Sequence, residues 1–508
     1  MATLTLAAGA YAQKNGDPRK YVKYINAENA RKHLSILASD AFEGRETGKP
    51  GAEKAAKYIA DEFKKLGLKA PVNGSYFFNV PLVENLTEIS LSVNNQELVN
   101  GKDFVASRGA IADGPVEAAV VIFIGYGTDA ETGTADLTNK VLLWINEDKP
   151  EEGKTPNKSY RLSNTRMQIM KNLQSKNPAL ILAVNGDVSD ILKRFGSTVL
   201  SPRLIIKEDA AKPAVQQAVV LNISPATADA VVKPTGKAWD DLKNGSLQTI
   251  KAAVKVNIHT DYKDVKAVDV LGYMPGTDLK KEVLVFSAHY DHIGLVSDPN
   301  AKDKVNNGAD DDGSGTTGIL EIARAFSAAK KAGHGPRRSI LFLANVGEEK
   351  GLLGSEYYTD HPVFPLANTI TDLNIDMIGR VGFDYIGKSD SANYVYTIGS
   401  AMLSKELHQI NEETNNKYVH IEQDYKYDDP NDPNRFYYRS DHYNFAKHGV
   451  PIIFYFNGVH ADYHQPGDEV SKINFPLLAK RARLVYYTGW ELANRNKRPL
   501  VDAAPASK

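Results

Sequence analysis

Two histidines and three carboxylates between residues 289 and 464 form a set that could hold two zinc ions. They are His289 in Ala288-His289-Tyr290-Asp291, Asp311 in Asp310-Asp311-Asp312-Gly313-Ser314-Gly315, Glu349 in Gly347-Glu348-Glu349-Lys350-Gly351, Asp376 in Leu373-Asn374-Ile375-Asp376, and His464 in Tyr463-His464-Gln465-Pro466. Imidazole nitrogens and carboxylate oxygens are what zinc accepts where no thiolate is offered, and this chain has no cysteine. Each motif also has a plainer reading. A His-x-Asp is often a surface turn, three adjacent aspartates a solvated or calcium-binding loop, and Glu-Glu a charged helix start. Placement argues the other way, because four of the five follow an apolar run that reads as a strand. In open α/β sheets, ligands gather at the carboxyl ends of strands. A carboxylate within Leu-Asn-Ile-Asp-Met-Ile is costly to bury without a cation or dense hydrogen bonding. Asp291 is spaced to orient the imidazole of His289 through its other nitrogen.

The elements that must position these residues are legible in part. From residue 267 onward an α/β rhythm appears, with strands expected at Val283–Ser287, Ser339–Ala344, Leu373–Asp376 and Ile452–Phe456. Helices are expected at Thr316–Ala332, Leu352–Tyr358 and Phe475–Asn494. Apolar strands alternating with helices imply a sheet covered on both faces. Residues 26–67 read as two helices around the glycine-punctuated loop Phe42–Gly51, whose turn residues break the helical spacing. Between about 85 and 260 short apolar runs and turn signals dominate, which suggests a separate β-rich domain with one or two helices. The tail after Arg495 is polar and expected to be disordered.

At 508 residues the chain is long enough for two or more domains. Its 61 basic and 62 acidic residues balance, so no basic surface points to nucleic acid or an anionic membrane. No stretch approaches the ~20 apolar residues of a membrane span. Leu4-Thr5-Leu6-Ala7-Ala8 followed by Ala10-Tyr11-Ala12 resembles the end of a secretory leader, so export to the periplasm or exterior is expected.

Taken in order, His289-Tyr290-Asp291, Asp311-Asp312-Gly313-Ser314-Gly315, Glu348-Glu349-Lys350-Gly351, Asp376-Met377 and Tyr463-His464 resemble the dinuclear zinc aminopeptidases of the bacterial leucyl aminopeptidase type (clan MH). The segment Arg439-Ser440-Asp441-His442 is similar to another part of that family. The resemblance implies an α/β fold with a mixed, largely parallel sheet and helices on both faces, plus an inserted β-rich domain. Its domains would be a leader-like remnant at 1–12, a discontinuous catalytic domain at 22–85 and 260–495, an insert of the protease-associated type at 86–259, and a tail at 496–508. It implies two zinc ions bridged by Asp311, with His289 and Asp376 completing one site and Glu349 and His464 the other. Glu348 would be the general base, Asp291 would orient His289, Tyr437 would help hold the oxyanion, and the Asp311–Asp312 peptide would be cis. The activity implied is removal of N-terminal residues from peptides with a free N-terminus, by hydroxide attack at the dinuclear centre. A carboxypeptidase or dipeptidase of the same clan, with Arg439 or Arg380 receiving the substrate carboxylate, and a glutaminyl cyclase-like transferase are the alternatives.

Overall fold

The computed structural model describes residues 16–106, 113–150, 162–199, 202–210, 217–243, 245–388, 390 and 393–504; the leader-like segment therefore lies outside the described residues. The chain divides into two units, the first formed by Met1–Leu82 with Val265–Lys508 and the second by Val83–Asp264.

The first unit is built on a mixed sheet. Its strands are β1 (Val254–Met274, of which the second half belongs here), β2 (Leu279–His289), β3 (Arg338–Asn345), β4 (Thr369–Ile375), β5 (Tyr394–Ile398), β6 (Glu422–Asp424) and β7 (Ile452–Phe456). They lie in the order β6-β5-β7-β4-β2-β3-β1. The inner four, β3, β2, β4 and β7, are parallel, while β1 and β5 run antiparallel to their inner neighbours. All four carboxyl ends therefore emerge at one edge of the sheet, where the register sets His289 opposite Asn345.

Successive side chains on a strand face opposite sides, and both sides of this sheet are packed. Phe286 of β2 and Phe342 of β3 stack at 5.4 Å on one face, where Phe286 also meets Phe326 of helix α3 (Gly313–Lys331) at 5.9 Å. Their neighbours Val283, Val285, Leu341 and Leu343 pack with Tyr358 and Phe445 on the other. Tyr358 belongs to α4 (Leu353–Asp360) and Phe445 to α6 (His442–Lys447). Each such apolar side chain contributes about 1.5–3 kcal/mol when fully buried, which is why the strands read as continuous apolar runs. Helices α1 (Ala27–Leu37), α2 (Pro50–Leu66) and α7 (Phe475–Asn494) pack with α3. The helix α5 (Lys405–Tyr418) packs on α7. In place of the disordered tail expected after Arg495, the chain is tied down as far as Asp502. Arg338 donates to the carbonyls of Arg495 and Asn496, Arg498 donates to the Ala367 carbonyl, and Asp502 N donates to Leu403 O.

The second unit has a six-stranded sheet of its own. Its middle strands Val121–Phe123, Val141–Ile145, Leu180–Val184 and Val219–Ile223 are parallel, with Gln248–Ile250 and Phe104–Ala106 antiparallel at the two edges. Helices Asn164–Ser175, Val188–Val199 and Pro225–Val232 make it more helical than the sequence suggests. The reason is visible in burial. Every residue of Val141–Ile145, Leu180–Val184 and Val219–Ile223 is buried, and parallel strands buried on both faces need helical crossovers to cover them.

Candidate metal centre

The carboxyl ends of β2, β3 and β4 deliver His289, then Glu348 and Glu349 a few residues on, then Asp376. Asp311 comes from the turn before α3, and His464 from the loop after β7. The five sequence-selected ligands meet. Asp311 presents its two oxygens in different directions: Oδ1 lies 3.3 Å from His289 Nε2, and Oδ2 lies 3.1 Å from His464 Nε2. Asp376 Oδ1 is 3.6 Å from His289 Nε2, and Glu349 Oε2 is 3.1 Å from His464 Nε2. These residues therefore form two pockets that share one carboxylate. Buried atoms left without hydrogen bonds include His289 Nε2, Asp311 Oδ2 and Glu349 Oε1, so the donor set fits cations rather than a closed polar network.

The three adjacent aspartates have three different tasks. Asp310 Oδ1 accepts from Ser314 Oγ and Gly379 N. Asp312 Oδ1 accepts from Gly315 N, capping α3, and from Met377 N just beyond β4. Only the middle carboxylate faces the pockets. Its backbone is held in turn: one oxygen of Asp468 accepts from both Asp310 N and Asp311 N, at 2.9 and 3.1 Å. A side chain at Gly315 would collide with the Ile375 carbonyl and the Asp312 carboxylate, so glycine is required there. The Asp311–Asp312 peptide is cis, and Met377 and His464 hold left-handed backbones at φ 58° and 56°. Left-handed backbones like those of Met377 and His464 are uncommon outside glycine and concentrate at functional sites.

The loop Phe42–Gly51 has a clear structural task. Its Arg45, fully buried, donates to the carbonyls of Tyr290, Leu37, Asn307 and Gly308, fixing the backbone beside His289. His289 is further pinned by the Thr316 hydroxyl on its carbonyl. Its Nδ1 faces the Asp291 carbonyl at 3.1 Å, nearer than the Asp291 carboxylate at 3.8 Å. That carboxylate accepts from Thr47 Oγ1 and from Glu348 N, tying β2 to the turn that carries the two glutamates. Ser440 donates to Asp376 Oδ2 at 2.7 Å and so orients it.

Burial pushes the Glu348 carboxyl well above the ordinary range; His289 opposes the rise and Glu349 and Asp376 add to it. Glu349 behaves in the opposite way. Burial would raise it, and the nearby Asp311 adds to that, but the imidazoles of His292 and His464 beside it hold it at about 2. Burial would lower His464, but Asp311 and Glu349 hold it up at about 10.

A cleft opens over these residues, lined by Asp311, Glu348, Asp376, Phe436, Arg439 and Tyr463 among others. Tyr437 is not among its lining residues. It is buried, with its ring against Tyr438, Tyr443 and His442. Tyr463 lines the cleft, and its phenol is raised by burial and by the negative charge of Asp311 and Glu349. Two further residues, which sequence reasoning missed, stand at the site: Tyr463, the neighbour of His464, and His292, whose Nδ1 lies 2.7 Å from Glu349 Oε1. The sole signal for His292 is its position directly after Asp291.

The fold is that of known aminopeptidases. An aminopeptidase from Aneurinibacillus sp. strain AM-1 superposes with a TM-score of 0.56 at 19% identity, covering 97% of this chain and all of that one. A zinc aminopeptidase from Bacillus subtilis gives 0.50 at 19% identity, covering 92% and 95%. Among curated proteins, leucine aminopeptidase 2 of Trichophyton equinum is 26% identical over 295 residues, which is 52% of this chain and 53% of the relative. A probable glutamate carboxypeptidase of Zea mays is 25% identical over 213 residues, 40% of this chain and 28% of its own length. The chain thus spans about half the length, or less, of these curated relatives. Residues 269–489 match the model of peptidase family M28.

Proposed function

We propose that this chain is a zinc-dependent exopeptidase that removes N-terminal residues from peptides. The observation that carries the reading is the shared carboxylate of Asp311, with His289 at one oxygen and His464 at the other, Asp376 standing beside His289 and Glu349 beside His464. Those five residues would hold two zinc ions. A bound zinc pair supplies Lewis acidity and lowers the pKa of water toward neutrality. The remaining work falls to side chains. Glu348, 3.9 Å from His289 Nε2 and with its proton affinity raised by burial, would take a proton from the attacking water and return it to the leaving amine. The Asp291 carboxylate would hold Glu348 by accepting from the Glu348 backbone N–H, and the Ser440 hydroxyl would hold Asp376. Tyr437 is the tyrosine selected from sequence for the oxyanion; Tyr463, which lines the cleft, is the second candidate for that contact. The leader-like residues Leu4–Ala12 support export. Among the described residues no helix is long and apolar enough to cross a membrane.

One observation favours a second reading. Arg439 lines the cleft, with its guanidinium over the Phe436 ring at 4.8 Å, and could receive a substrate carboxylate as in a carboxypeptidase or dipeptidase. Arg380 is already engaged by Asp462 at 2.9 Å. The deciding experiment is hydrolysis of leucyl-p-nitroanilide beside its N-acetylated twin, with chelator and with zinc restored. Cleavage of the free-amine substrate alone, lost with chelator and regained with zinc, supports the aminopeptidase. Inactivity on both, with release of C-terminal residues from N-acetylated peptides, transfers the assignment to a carboxypeptidase.

A further inference from the structure

His292 is fully buried, and neither of its ring nitrogens has a hydrogen-bond partner. Its Nδ1 lies 2.7 Å from Glu349 Oε1 and 3.8 Å from Asp311 Oδ2. Glu349 Oε1 is likewise without a hydrogen bond, so the two buried atoms approach each other without the alignment that a hydrogen bond needs. Asp311 and Glu349 are the same two carboxylates that His464 Nε2 meets at 3.1 Å each. The rings of His292 and His464 stand edge to face with centroids 5.8 Å apart. Two imidazoles and two carboxylates thus surround one point. Ligand atoms on a tetrahedral zinc, each about 2.0–2.1 Å from the ion, stand roughly 3.3 Å from one another, and the separations here fall on either side of that value.

The seat of the ring is built. Gly308 has a left-handed backbone at φ +55°, and a Cβ there would come within 2.5 Å of His292 Cγ. The glycine carbonyl is in turn held by Arg45. The space that a side chain would fill is given to the imidazole.

We infer that His292 is a sixth metal-holding residue, completing with Asp311, Glu349 and His464 a four-residue pocket for one of the two ions. The inference rests on the dinuclear reading above and makes its two pockets unequal. The pocket of His289, Asp376 and the shared Asp311 has three protein groups and keeps a position open, as a site that receives substrate must. The His292 pocket is closed, in the manner of a structural site. The chain would therefore release its two ions at different rates, the ion beside His292 last.

The test uses the full chain. Zinc content is followed during dialysis against a weak chelator, for the wild type and for His292→Ala, with circular dichroism as the check on folding. The wild type is expected to keep one ion after the first is gone, and His292→Ala to bind that ion at least about tenfold more weakly, the lower bound set by what even an outer-shell partner is worth. Because a variant at a fully buried position can fail to fold, X-ray absorption of the two-zinc wild type gives a reading free of mutation. Three imidazoles shared by two ions supports the proposal. Two imidazoles with two ions bound overturns it and leaves the dinuclear reading standing. A wild type that binds no zinc overturns both.

Discussion

Both units of this protein contain a parallel, fully buried set of strands, and the two differ most in what stands at their carboxyl ends. In the second unit those ends carry Asn146, Asn185 and Asn222, which satisfy one another. Asn185 Nδ2 donates to the Asn146 carbonyl, Asn146 Nδ2 donates to Asn222 Oδ1, and Arg166 donates to Asn146 Oδ1. In the first unit the corresponding edge carries His289, Glu348, Glu349 and Asp376, with buried atoms that no hydrogen bond satisfies. An α/β sheet supplies an edge at which side chains converge; the residue types placed there decide whether the edge is sealed or reactive.

The largest effect that would sharpen this contrast is expected from Asp311→Ala. Both pockets lose the carboxylate they share, so zinc content should fall together with nearly all hydrolysis of leucyl-p-nitroanilide. Metal analysis after dialysis checks it, and an unchanged zinc content would refute the shared role. Glu348→Gln comes next. It keeps the size of the side chain and removes only its proton chemistry, so kcat should drop roughly 10²–10⁴-fold while zinc stays bound. Turnover within a few fold of the wild type would end the assignment of Glu348 as base.

A smaller effect separates the two tyrosines. Removal of one donor to a developing oxyanion costs roughly 10²-fold or more in kcat. Tyr463 lines the cleft and Tyr437 does not, so Tyr463→Phe is expected to lower kcat with KM little changed, and Tyr437→Phe to lower it less. The reverse order would return the oxyanion role to Tyr437 and require it to turn toward the cleft when substrate binds.

Much of this edge was legible in the sequence, for a physical reason. A carboxylate or imidazole that follows a continuous apolar run must be delivered to a partly buried place, and four such residues in one chain need a common partner. The strand Ile452–Phe456 and the helix Phe475–Asn494 fall where periodicity places them. What was not legible depends on contacts between distant segments. His292 sits in a turn with no periodicity, and its neighbours Glu349 and Asp311 become neighbours only on folding. Arg45 is a loop arginine whose donors reach carbonyls on both sides of the chain's long second unit, which nothing local announces. Tyr437 and Tyr463 both flank family-like motifs, and only the direction each ring takes distinguishes them. The extra helices of the second unit were missed because its short apolar runs do not reveal strand direction, and direction decides whether a crossover is needed.

The smallest effect is expected from the sealed edge. Asn185 is fully buried, donates to the Asn146 carbonyl at 2.6 Å and accepts from Asp187 N at 2.9 Å. Asn185→Ala removes these bonds without removing a metal group, so it should cost about 1–3 kcal/mol of stability. Two of the three tryptophans, Trp144 and Trp239, lie buried in the second unit, and fluorescence during urea unfolding therefore reports mainly on that unit. The fluorescence midpoint should move to lower urea while zinc content and hydrolysis of leucyl-p-nitroanilide stay as in the wild type. A variant that loses zinc along with stability would show that the two edges are not independent, and the contrast between a sealed and a reactive sheet would have to be given up.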